Sequence, residues 1–69
     1  MITPTEADVG RAIYYPDERT GTVEFGVFLG LSTYDNHPLC HMPTPLSSMP
    51  ASGDKHKYTI RDEKLFWAD

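Results

Sequence analysis

"TVEFGVFLGLS", residues 22–32, alternates without a break: Val23, Phe25, Val27, Leu29 and Leu31 are apolar, and Glu24, Gly26, Phe28 and Gly30 fall between them. Successive side chains leave a strand on opposite faces, so a period of two reads as a strand. A helix is disfavoured, because each of the two interior glycines would cost about 1 kcal/mol relative to alanine. The expectation is a half-buried strand with Val23, Phe25, Val27, Leu29 and Leu31 filling the core. Gly26 and Gly30 then remove bulk from the other face, so the strand can bend or admit a close neighbour, as a small closed sheet requires.

Upstream, "RAIYY" (Arg11 to Tyr15) reads as a first strand with Ile13 and Tyr15 on one face, ended by Pro16. "PDERTG" supplies turn residues between the two strands, and residues 2–8 form an extended lead-in with at most one helical turn before Gly10. Downstream, "TYDNHP" is a turn in which Asp35 and Asn36 tolerate left-handed backbone, and Leu39 to Met42 is a short third strand. Pro43 to Asp54, "PTPLSSMPASGD", holds three prolines and three serines and reads as a long loop. A strand from Lys57 to Arg61 places Tyr58 and Ile60 on one face, a tight turn follows at Asp62 to Lys64, and Leu65 to Ala68 forms the last strand.

The chain has 69 residues, enough for one small domain near the size at which a hydrophobic core alone holds a fold. Its 39% hydrophobic and 23% charged residues belong to the globular range. No stretch approaches the roughly 18 apolar residues of a membrane span, and the start shows no basic segment followed by an apolar run. The lone Cys40 has no partner for an internal disulfide, which fits a reducing, cytoplasmic setting. A net charge of −4 repels a phosphate backbone at long range. The charge is uneven: residues 1–36 hold six acids against Arg11 and Arg19, while residues 37–53 hold no Asp, Glu, Lys or Arg.

Four or five short strands, no helix and a glycine-bent central strand favour a small barrel, because closure removes edges that so few strands cannot otherwise protect. At this point the chain resembles the short phage and prophage proteins that fold as SH3-like barrels. The resemblance lies in "DVGR" leading into Ile13-Tyr14-Tyr15, in Glu24-Phe25-Gly26-Val27, and in the turn from Ser32 to Asn36. It continues in the closing pattern of Thr59, Asp62, Leu65 and Trp67. It implies a single all-β SH3-like barrel over residues 1–69, and it brings no biochemical role with it. The chain departs from the family pattern at residues 37–53, where "HPLCHMPTPLSSMP" stands in place of an aromatic, often basic strand and implies an enlarged loop.

His37, Cys40 and His41, with His56, are the residues of metal-ligand type. On a strand Cys40 and His41 point to opposite faces, and the paired spacing that tetrahedral zinc draws on is missing. The same geometry defeats a Cys-His catalytic pair. The reading is therefore one inward cysteine beside solvent-facing histidines, with no catalytic residue, no metal and no cofactor. Arg11, Lys55, Lys57, Arg61 and Lys64 would form a nucleic-acid patch only if they gathered. Asp8, Asp54, Asp62, Glu63 and Asp69 are interleaved with them, which describes a solvated mixed-charge face.

Most of the aromatic surface must be core, but Phe28 shares a face with Glu24 and two glycines, so it is either a partner anchor or packed under the long loop. The expected function is that of a small non-catalytic protein-interaction module binding a host or virion protein. The candidate contact residues are Phe28, Tyr34, Met42, Leu46 and Met49, and self-association through an open strand edge is one form of the binding. The alternative is a nucleic-acid-binding barrel that uses the C-terminal basic residues.

Overall fold

The structure, a computed structural model, describes residues 1–43 and 56–69. Among these, β1 is Ala12–Asp17, β2 Thr22–Leu31, β3 Pro38–His41, β4 Lys57–Thr59 and β5 Phe66–Trp67, with single 3-10 turns at Glu6–Asp8 and Asp62–Lys64. All neighbouring strands are antiparallel, in the order β4-β3-β2-β1-β5. A meander of four strands with the last strand returned beside the first, through a 3-10 turn, is the SH3-like arrangement. The expected all-β barrel is the fold. The expected long loop at 43–54 falls almost wholly outside the described residues.

β1 differs from its expected extent because Pro16 does not end it. Gly26, Glu24 and Thr22 lie opposite Ile13, Tyr15 and Asp17, and Arg11 O accepts from Phe28 N–H at 3.0 Å, so odd-numbered residues bond towards β2. Ala12 O accepts from Ala68 N–H at 2.9 Å, so even-numbered residues face β5. β5 pairs only with Ile13 and Tyr14, and the donor that Pro16 lacks would therefore point past its end. The hairpin then turns on Gly21, whose φ is 71° and whose N–H donates to Asp17 O at 2.9 Å.

The faces of β2 are the reverse of the expectation. Phe28 is fully buried and Gly26 is buried, while Val23, Phe25 and Leu31 are 50%, 60% and 42% exposed. The register explains why. Ile13 and Tyr15 point inward, and their cross-strand neighbours Gly26 and Glu24 share that face. The inside has no volume for more: a Cβ built on Gly26 would collide with the His41 carbonyl oxygen and Met42 Sδ. A bulge between Phe28 and Gly30, where Gly30 takes φ 131°, shifts the register to β3 and bends the strand. The two glycines thus do what was expected of them, one admitting a close neighbour and the other turning the chain.

The core consists of Ile2, Ile13, Tyr15, Phe28, Cys40, Met42, Tyr58, Ile60 and Leu65, with Trp67 packed against it. Tyr58 and Ile60 share a buried face as the alternation predicts. Ile2 joins from the lead-in, its N–H donating to Asp62 O at 3.1 Å, and full burial of such a side chain contributes about 2 kcal/mol. No described helix is long and apolar enough to cross a membrane.

Candidate interaction surface

The inversion of β2 puts apolar side chains on the outside of the sheet. Tyr14 of β1 lies opposite Phe25 of β2 on one side and Phe66 of β5 on the other, so the three rings form a ladder across three strands. Tyr14 stacks on Phe66 with centroids 5.2 Å apart and 18° between planes, and meets Phe25 at 6.1 Å and 48°. Val23 pairs with Pro16 and extends the strip towards the hairpin, and Val27 pairs with Ala12 at its other end. Tyr14 and Phe66 are half-buried, whereas Phe25 and Val23 present half or more of their surface to water. Exposed aromatic and aliphatic residues in contiguous order on one sheet face are the composition of a protein contact rather than of a solvated one.

The strip runs into a cleft of about 440 Å³ between the β1–β2 hairpin and the 3-10 turn Asp62–Lys64. Tyr15, Pro16 and Phe66 give it an apolar lining, and Glu18, Arg19, Glu63 and Lys64 give it charges of both signs. Arg61 and Glu63 form an exposed ion pair at 3.5 Å beside it. The cleft exists because β5 is two residues long and leaves the last half of β1 uncovered. Since Pro16 offers no donor along that edge, an incoming strand cannot continue the ladder, and what docks here docks by side chains.

The expected contact residues do not assemble into this surface. Phe28 and Met42 are fully buried, Phe28 meeting Trp67 edge-on at 6.0 Å, so both belong to the core and neither can anchor a partner. Tyr34 is 98% exposed, but on the β2–β3 turn, where Ser32 Oγ accepts from its N–H and Asn36 adopts φ 63°. Leu46 and Met49 lie outside the described residues. The residues that sequence reasoning passed over, Tyr14, Val23, Phe25 and Phe66, were legible as a set through their strand parity. Alternation groups them but does not give their side, which the register against Ile13 and Tyr15 decides.

The polar candidates occupy other places. Cys40 is fully buried, and burial pushes its thiol up to about 12, so it is a neutral thiol at neutral pH. His41 points out from the same strand. Its ring lies 5.8 Å from that of His56, whose Nδ1 is 3.1 Å from Met42 O. Among the described residues no three His, Cys, Asp or Glu side chains converge as a metal site would need.

Arg11 is held on three sides, with Nη1 donating to Asp8 Oδ1 at 2.9 Å, and Nε and Nη2 to the two carboxylate oxygens of Asp69 at 3.1 and 2.8 Å. Its guanidinium lies 4.0 Å from the centroid of Trp67. Asp8 is held below the usual carboxylate range by the Thr5 N–H and then by Arg11, Asp69 is lowered by Arg11, and both carboxylates raise Arg11 in turn. Arg11 is thus committed to this clasp and Arg61 faces Glu63, while Lys55 lies outside the described residues.

Comparisons with protein-family models, with curated proteins and with solved structures gave no match.

Proposed function

We propose that this SH3-like barrel is a non-catalytic protein-interaction module whose contact surface is the outer face of β1, β2 and β5. The observation that carries the reading is the 60% exposure of Phe25, inside an aromatic ladder, on the more apolar side of the longest strand. Leaving that side in water forgoes the roughly 1.5–3 kcal/mol each large side chain gains from burial, and a partner restores it. The sequence resembles short phage and prophage proteins, and on that reading the class of partner is a host or virion protein, or another copy of the chain.

A photoreactive amino acid substituted for Val23, and separately for Thr20 at the hairpin tip, tests this in cells that express the chain. A discrete adduct from position 23 and none from position 20 is expected. No adduct from 23, or equal labelling from both, removes the face from the account. Among the described residues no observation favours the nucleic-acid reading, and binding of duplex or single-stranded DNA at low salt, lost on Lys57→Ala with Lys64→Ala, would restore it.

A further inference from the structure

We draw no further inference here: the strongest candidate, the apolar strip of Tyr14, Phe25 and Phe66 with the cleft it runs into beside the 3-10 turn Asp62–Lys64, belongs to the surface already described, and nothing in the structure shows what covers it.

Discussion

The two faces of β2 are made of the same ten residues and obey opposite rules. Inward, two of the strand's positions are glycines flanking Phe28, and that one ring is the largest fully buried side chain among the described residues. Outward, Val23 and Phe25 stand in water. In a large sandwich the more apolar side of an amphipathic strand faces the core, because the core has room for it. In a barrel this small the interior volume is the scarcer quantity, and it selects few, well-fitted side chains over many apolar ones. The side that does not fit inside becomes available for a partner.

Substitutions on the two faces should therefore part stability from association. Phe28→Ala has the largest expected effect, about 4 kcal/mol, from lost transfer energy, an unfilled cavity and the lost edge contact with Trp67. A chain of this length carries roughly 3–10 kcal/mol in all, so the variant should be largely unfolded by circular dichroism at room temperature. A folded Phe28→Ala protein would mean that the ring is not the centre of the core. Gly26→Ala comes next, at about 2–3 kcal/mol: its new methyl meets the His41 carbonyl, a backbone atom that cannot swing aside. Urea denaturation measures it, and a neutral or stabilising result would show β3 to be farther from β2 than the structure has it.

On the outer face, Phe25→Asp should lower stability by only about 1 kcal/mol, the value of its tilted contact with Tyr14, and leave the folded spectrum intact. Its effect belongs to association instead. If Phe25→Asp unfolds the chain as Phe28→Ala does, the two faces are not distinct in the way the burial pattern says.

Much of this architecture is written locally. The alternation of residues 22–32, the turn residues Asp35 and Asn36, and the shared face of Tyr58 and Ile60 each specify a strand or turn from within a few residues, and the structure has them in place. What local pattern cannot express is the sign of a face. Period two says that Val23, Phe25 and Val27 go together, and only the register against Ile13 and Tyr15, with the collision awaiting a Cβ at Gly26, says that they go outside. The candidate site inherited that sign, which is why Phe28 and Met42 were expected at a surface they do not reach. Pro16 is a similar case: its missing donor is harmless because β5 ends before it, a fact that belongs to another strand 50 residues on. Ile2 carries no periodic signal at all and is buried by its contact with the turn at Asp62.

The smallest expected effect lies at the joint of the two chain ends, where Arg11 ties Asp8 and Asp69 together above Trp67. Both carboxylates titrate below their ordinary 3.8 in the folded chain, the first chiefly through the Thr5 N–H and the second through Arg11. A carboxylate whose folded value is depressed contributes stability that is complete above the unfolded value and is lost as pH falls through the folded one. The clasp should therefore contribute a constant amount at neutral pH and disappear in acid below 3.8. Arg11 and Asp69 are solvent-exposed, so water and salt screen the contribution. Asp69→Asn should lower the melting temperature at pH 7 by a few degrees at most, less in high salt, and the gap from the unsubstituted chain should close as the pH is taken below 3.8. A gap that persists unchanged in acid would assign the effect to the packing of Trp67 and β5 rather than to charge. The outer face, which carries none of these groups, should keep its association unaltered in Asp69→Asn at neutral pH.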